Sequence, residues 1–288
     1  LNHRVARNPR GFRPRIAPVR GSAIPVTSGY IIPSIEPMNT TVSSSQGRLH
    51  GADNGVRGDL QGLRALAVLL VIADHVFGAP AGGFVGVDMF FVLSGFLITG
   101  LLLREHERWG RISYADFYRR RIRRIVPVAT LVLVVTIAAT YLLFNTARTE
   151  SVATDGAWAF GFLANWHFAH LGTDYFLNSG TVSPLQHYWS LSVEEQFYVV
   201  WPTLLAVALW VAGLRTGSAR ARRTTVLALT VLALAASFGY SLHHSSDAPV
   251  AAYFSTFDRA WELLAGAALA AAATWLVRLP AALRPVLT

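Results

Sequence analysis

Residues 60–77 read LQGLRALAVLLVIADHVF, a stretch that is apolar enough and almost long enough to span a membrane on its own. It nevertheless contains Arg64, Asp74 and His75, and the next apolar stretch, residues 83–103, contains Asp88. A charged side chain at the centre of a membrane helix costs about 2.5–3.5 kcal/mol, so such residues indicate a functional site. The sequence therefore predicts membrane helices that carry chemistry.

The whole chain has the composition of a membrane protein. Its 288 residues are 53% hydrophobic and 14% charged, with a mean hydropathy of +0.40. All 25 basic residues are Arg, and they give a net charge of +9. Because these arginines lie beside apolar stretches, they indicate membrane orientation and not a nucleic-acid surface. The absence of Cys excludes disulfides and thiolate chemistry.

The predicted fold class is all-α, a polytopic transmembrane helix bundle with six or seven spans. Residues 1–56 are rich in Arg, Pro, Ser and Gly and predict a disordered cytoplasmic tail, followed by a membrane domain over residues 57–288. A doubtful seventh stretch covers residues 154–168. The six stretches of membrane length are residues 60–77, 83–103, 125–144, 197–214, 224–242 and 260–277.

The distribution of Arg predicts the topology. Residues 104–124 contain eight Arg against three acidic residues and should be cytoplasmic, which places the amino terminus inside. The Arg-rich loop 215–223 should also lie inside. Both conditions hold only if residues 154–168 do not cross, so we expect a re-entrant or interfacial segment there, with a full crossing as the alternative.

Arg64 and His75 are the first candidate pair for chemistry. They are eleven residues apart, which puts them on one helix face and about 16 Å apart along the axis. The simpler explanation of both residues is that their side chains reach opposite surfaces of the membrane. That explanation suits Arg64 better than His75, because neutral His is a poor anchor. His is also the side chain best suited to take a hydroxyl proton near neutral pH.

The stretch around Asp88 combines this carboxylate with small residues. Asp88 requires an Arg or His partner from a neighbouring helix. Gly86, Ser94 and Gly95 are expected to permit close helix packing. Residues 257–266, FDRAWELLAG, place Arg259 and Glu262 three residues apart, and these residues either form a local salt bridge or act on a substrate.

Residues 117–127, FYRRRIRRIVP, lead into a predicted span. The run is either a topology signal alone or a phosphate site, since guanidinium groups bind phosphate oxygens bidentately. Arg121 and Arg124 are three residues apart and share a helix face.

Residues 184–202 place Glu194 and Glu195 where the chain is expected to enter the membrane. Ser192 is expected to cap this helix, with the two carboxylates near its positive end. Adjacent residues point to different faces, so one of the two is expected to face the bundle. Nearby aromatic residues fit a belt at the membrane surface: Trp189, Tyr198 and Trp201.

Five blocks of the sequence, in order, closely resemble the acyltransferase 3 family of bacterial membrane O-acyltransferases. They cover residues 59–270 and read DLQGLRALAV, GGFVGVDMFFVLSGFLI, FYRRRIRRIVP, WSLSVEEQFY and RAWELLAG. The resemblance is strongest to the branch that O-acetylates lipopolysaccharide or other surface glycans. Such members have about ten helices, and many add an SGNH-type domain, so the chain is expected to be a piece of a longer protein.

The resemblance implies roles for individual residues. The family's Arg-x10-His signature falls on Arg64 and His75, and its acidic element falls on Glu194, so these three are the implied catalytic residues. Its Arg-x-x-Arg element falls on Arg121 and Arg124, which implies that they bind the acyl donor. Arg120 and Arg123 have the same spacing, so the register stays open. The expected substrate-binding residues are Asp88, Glu195, Trp189, Arg259 and Glu262.

The resemblance therefore implies transfer of an acyl group, expected to be acetyl, from cytoplasmic acyl-CoA to a hydroxyl of a surface carbohydrate. The expected location is the bacterial inner membrane, and no bound cofactor, metal or nucleic acid is expected. A transporter or a non-catalytic scaffold is the alternative. A transporter should show inverted repeats, and no convincing repeat is found.

The topology predicts which loops an impermeant thiol reagent reaches in intact cells. Cys introduced at Asn178 should be labelled, whereas Cys at Ala219 should not, because the arginines after residue 214 hold that loop inside. The native chain has no Cys to interfere. Labelling at Ala219 alone would mean that residues 154–168 cross the membrane.

Overall fold

The computed structural model describes residues 58–172, 182–215 and 218–276, which contain no strand. The predicted tail, residues 1–56, lies outside the described residues. The helices of the described part are α1 Gly58–Phe77, α2 Val85–Trp109, α3 Tyr114–Leu143, α4 Thr146–Phe160, α5 Ala164–His170, α6 Tyr188–Arg215, α7 Ala219–Asp247, α8 Pro249–Phe254 and α9 Thr256–Leu276.

The prediction of an all-α membrane bundle is confirmed. Five of the described helices, α1, α2, α3, α6 and α7, are long and apolar enough to cross a membrane. The sixth predicted span, residues 260–277, falls in α9, which is not among these five because three of its first seven residues are charged, Asp258, Arg259 and Glu262, and the rest is rich in Ala. α9 instead packs extensively against α2 and α7 at the centre of the bundle.

Two helices begin well before the predicted spans. α3 begins at Tyr114 and α6 at Tyr188, so the arginine run of α3 is helical. Ser192 lies inside α6, where its hydroxyl donates to the Tyr188 carbonyl at 2.9 Å, so the prediction that it caps the helix is wrong. Glu194 consequently lies about 9 Å from the start of α6, and its expected position at the membrane entry stays a prediction.

The doubtful segment 154–168 is divided between α4 and α5, with a break at residues 161–163. α4 has 15 residues, and its length of about 22 Å falls short of the hydrocarbon thickness. Gln196 of α6 stabilises the break, because its amide donates to the Phe162 carbonyl and to Asn165, both at 2.8 Å. The placement of this segment relative to the membrane stays a prediction.

The backbones of α2 and α9 meet at two glycines. A Cβ atom at Gly95 would collide with the Leu263 carbonyl, and one at Gly266 would collide with the Val92 carbonyl. Small residues permit this close approach, as in many membrane helix pairs. Gly86 brings α2 equally close to the Ala67 carbonyl of α1. The expected packing role of Gly86 and Gly95 is therefore observed.

The arginine clusters lie at one end of the bundle. Arg223 of α7 forms a 2.6 Å ion pair with Glu107 near the end of α2, so both clusters share what we call the Arg-rich end. α1 begins at this end, and the turn at residues 78–84 marks the opposite, Arg-poor end.

The aromatic residues of α6 belong to the core. Trp189 is 1% exposed, Tyr198 3% and Trp201 6%, so the predicted aromatic belt is wrong for these residues. The Trp201 indole donates to the Thr99 hydroxyl of α2 at 2.8 Å. They are buried because α6 lies against α2, α7 and α9, and does not face lipid along this side.

Candidate active site

Glu194 lies between α2 and α6, near the middle of the bundle. The Ser94 hydroxyl of α2 donates a hydrogen bond to its carboxylate. Ser94 is about 14 Å from the start of α2, which places the pair well away from either end of that helix. Sequence reasoning assigned Ser94 to packing; the available signal was a hydroxyl in an apolar helix, which needs a partner.

Three arginines surround this carboxylate. Arg64 of α1 and Arg121 and Arg124 of α3 are all close enough to act on Glu194 electrostatically. Of the residues implied by the family signatures, Arg64, Arg121, Arg124 and Glu194 are thus brought together from three helices, whereas His75 is not among them. The positive charges of these three guanidinium groups attract an anion.

Arg121 has several contacts of its own. Its guanidinium lies 3.5 Å from the centre of the Tyr198 ring and 3.8 Å from the Glu195 carboxylate. Glu195 is therefore an ion-pair partner in this structure, and its predicted substrate contact stays a prediction. Arg124 is exposed, while Arg64 lies 5.4 Å from the centre of the Phe90 ring. Two carboxylates face three guanidinium groups, which leaves excess positive charge.

An apolar pocket of about 280 Å³ adjoins Glu194. α1, α2 and α6 form its walls, and Glu194 is the ionisable residue among the described residues that line it. The apolar lining includes Val68, Val71, Ile72, Val87, Phe90 and Leu191. The pocket is large enough for a small acyl group and leads along α1 toward the Arg-poor end.

His75 lies in the last turn of α1, one turn beyond Ile72 of the pocket lining. His187, just before α6, is its electrostatic neighbour. Desolvation lowers the pKa of His187 below its ordinary value of 6.5, a hydrogen bond with the Pro184 backbone opposes this, and the charge of His75 lowers the pKa further. His187 therefore favours its neutral form at this end of the pocket.

The structure does not place Glu194 against His75. The partners of Glu194 among the described residues are Ser94 and the three arginines, with the pocket between this group and His75. The catalytic role that the family resemblance implies for Glu194 therefore stays a prediction.

A second charged cluster joins α2 to α9. Arg259 pairs with Asp88, and its other terminal nitrogen lies 3.1 Å from the Glu262 carboxylate. Asp88 thus has the cross-helix partner that its position requires, and the expected local Arg259–Glu262 pair is present too. Glu262 and Trp189 are each 1% exposed, and the Arg259 guanidinium lies 5.6 Å from the Trp189 ring centre. Substrate contacts by these residues stay predictions.

The sequence matches a family model described as an acyltransferase domain over residues 57–287. The chain belongs to this acyltransferase 3 family. The resemblance seen in the five sequence blocks is thereby confirmed. The helices place this acyltransferase domain in a multi-pass membrane protein.

Curated relatives of this acyltransferase are considerably longer. The chain is 40% identical over 212 residues to YrhL of Bacillus subtilis, which is provisionally named a peptidoglycan O-acetyltransferase. The aligned part is 73% of the chain and 32% of YrhL. It is 38% identical over 213 residues to the peptidoglycan O-acetyltransferase OatA of Listeria monocytogenes, and the aligned part is 73% of the chain and 33% of that protein. The O-acetyltransferase OatA of Staphylococcus aureus is 39% identical to the chain over 151 residues, which are 52% of the chain and 25% of that protein.

The chain spans about a third of the length of the first two relatives. No solved structure matches the chain.

The Ser94–Glu194 hydrogen bond predicts that removal of the Ser94 hydroxyl lowers the transfer activity. Ser94→Ala should lower acetyl transfer by the full-length protein at least about tenfold, because a hydrogen bond to a charged group contributes about 1.5–3 kcal/mol. Ser192→Ala is the matched control, since that hydroxyl bonds only to a carbonyl of its own helix. O-acetyl release from isolated cell walls measures the transfer. Equal activity of the two variants would show that Ser94 has only a packing role.

Proposed function

We propose that this acyltransferase transfers an acetyl group from cytoplasmic acetyl-CoA to a hydroxyl of a cell-surface glycan. The supporting observation is the placement of three arginines around Glu194 on one side of an apolar pocket, with His75 beyond its other side. Because the relatives are named for peptidoglycan, peptidoglycan is the proposed acceptor in place of lipopolysaccharide.

The donor is proposed to bind from the Arg-rich end. Acyl-CoA carries phosphates, and guanidinium groups bind phosphate oxygens in pairs. Arg124 is exposed, and Arg121 lies one turn away on the same helix. Arg64 lies on the α1 face that leads to His75, so it can hold the donor as its acyl end enters the pocket. This arrangement requires the Arg-rich end, and with it the amino terminus, to lie in the cytoplasm.

The chemistry is proposed to take place at His75. As general base, His75 removes the proton of the glycan hydroxyl while the oxygen attacks the thioester carbonyl. The new C–O bond forms, the C–S bond breaks, and the proton passes from His75 to the departing CoA thiolate. As acyl carrier, His75 instead attacks the thioester itself, and the glycan oxygen then displaces the imidazole. Both routes release CoA as the thiol and leave His75 unchanged.

The two routes share one requirement, which is access of the acyl group to the imidazole. The pocket between α1, α2 and α6 provides an apolar path for the acyl group toward His75. Exclusion of water from this path limits hydrolysis of the thioester.

His75→Ala is expected to abolish glycan O-acetylation without changing the amount of protein in the membrane. His75 is partly exposed at a helix end, so the substitution removes no core packing. His243→Ala is the control, because that exposed side chain is also near the Arg-poor end. Mass spectrometry of peptidoglycan fragments from cells with each form of the full-length protein measures the product. Unchanged acetylation in a well-expressed His75→Ala strain would exclude the catalytic role.

Gln at both Arg121 and Arg124 should weaken acetyl-CoA binding more than Lys at both positions, because Lys keeps the charge but loses the planar fork. Arg124→Gln alone should weaken binding without loss of stability, whereas Arg121→Gln should also lower the melting temperature by removing the contacts with Tyr198 and Glu195. Calorimetry on detergent-solubilised protein gives both quantities, with Arg119→Gln as an exposed control on the same helix. Equal affinity in every form would leave these arginines as topology signals alone.

A further inference from the structure

Three adjoining hollows lie at the Arg-rich end, and Arg223 lines all of them. The largest, about 530 Å³, lies between α2, α6 and α7, and the second, about 410 Å³, lies between α2, α7 and α9. The third, about 190 Å³, lies between α7 and α9. Together they form what we call the basic groove, defined by the four arginines that line it: Arg104, Arg220, Arg222 and Arg223.

The positive charge of the basic groove is largely uncompensated. Arg220, Arg222 and Arg223 lie at the start of α7, and its first turn has no acidic residue. Cations are unfavourable at the positive end of a helix dipole, so this cluster favours a bound anion. Arg223 pairs with Glu107, but Arg104, Arg220 and Arg222 form no ion pair within the described part of the chain.

The position of Arg104 indicates the depth at which this charge lies. A Cβ atom at Gly100 would lie 3.2 Å from a terminal nitrogen of Arg104, so the guanidinium folds back by one turn along α2. Since α2 runs toward the Arg-rich end, this direction leads into the membrane and not out to water. Arg104 can fold back because Gly100 has no side chain.

One edge of the basic groove is apolar and faces outward. Trp210 of α6 is 66% exposed and Leu214 is 69% exposed, and both line the largest hollow. On a membrane helix such side chains contact lipid. A ligand that fits both features has a phosphate for the arginines and hydrocarbon chains for the outward edge.

We propose that the basic groove binds the headgroup of an anionic phospholipid from the leaflet at the Arg-rich end. The phosphate lies beside Arg222, Arg223 and the amino-terminal end of α7, and the chains lie against Trp210 and Leu214, while Arg104 adds positive charge from the adjoining hollow that also contains Arg223. The site is separate from the proposed donor site, because none of the arginines of that site, Arg64, Arg121 and Arg124, lines the basic groove. Bound lipid neutralises like charges on α2 and α7, and so stabilises the contact of α7 with α2 and α9.

The proposal is tested with purified full-length protein in detergent. Native mass spectrometry counts retained phosphatidylglycerol or phosphatidylcholine, and the melting temperature is measured with each lipid. The test variant is Arg104→Gln with Arg222→Gln. The control is Arg108→Gln with Arg111→Gln, which removes the same charge at the same end of the bundle but outside the groove.

Phosphatidylglycerol should be retained and should raise the melting temperature, whereas phosphatidylcholine should not. The test variant should bind phosphatidylglycerol about thirtyfold more weakly, since each of the two basic residues near an anionic lipid surface contributes about 1 kcal/mol. The control should bind as the native protein does. The proposal is overturned if both lipids bind equally, if the two double variants lose affinity equally, or if acetyl-CoA displaces phosphatidylglycerol from the native protein.

Discussion

The ion pair between Arg259 and Asp88 is the contact on which the arrangement of this bundle depends. It joins α2 to α9, the most extensively packed helix pair, at the place where their backbones approach through Gly95 and Gly266. Glu262 gives Arg259 a second carboxylate, and the Trp189 ring covers the guanidinium. Each charge would be costly alone in an apolar interior, so the cluster holds only as a complete set.

Fixing α2 against α9 positions the catalytic groups, because α2 contacts the other central helices with its remaining faces. Ser94 follows from the position of Gly95: with Gly95 against α9, the neighbouring side chain reaches Glu194 of α6. Further along α2, the Thr99 hydroxyl accepts a hydrogen bond from the Trp201 indole, which also belongs to α6. Gly86 brings in α1, and with it the face that carries Arg64 and His75. The pocket is the space left where α1 and α6 both lie against α2.

The two ends of this pocket differ in charge, and that difference suits a transfer reaction. Guanidinium groups outnumber carboxylates around Glu194, which favours an anionic donor there. The opposite side has two imidazoles, His75 and His187, and burial lowers the pKa of His187, so that this residue favours its neutral form and does not attract an anion. A donor and an acceptor can thus approach the same apolar pocket from opposite ends without sharing a binding surface.

Hydropathy and Arg content in the sequence were sufficient to predict an all-α membrane bundle, because span length and charge bias are local properties of the chain. The spacing of Arg64 and His75 likewise predicted a shared helix face. The five motif blocks predicted the family, which was confirmed. Helix starts were less predictable. The segment before Glu194 is polar, yet it is helical and its Trp189 is buried in the core. The Arg run of α3 is mostly exposed, yet it is helical too.

Which side chains meet was decided only by the tertiary structure. Ser94 and Glu194 are 100 residues apart, and Asp88 and Arg259 are 171 residues apart. Their contact depends on the relative depth and rotation of two helices, which no local pattern contains. The same dependence buried Trp189, Tyr198 and Trp201, which the sequence assigned to the membrane surface. A helix pattern shows which residues share a face, but the neighbour of that face depends on how all the helices pack together.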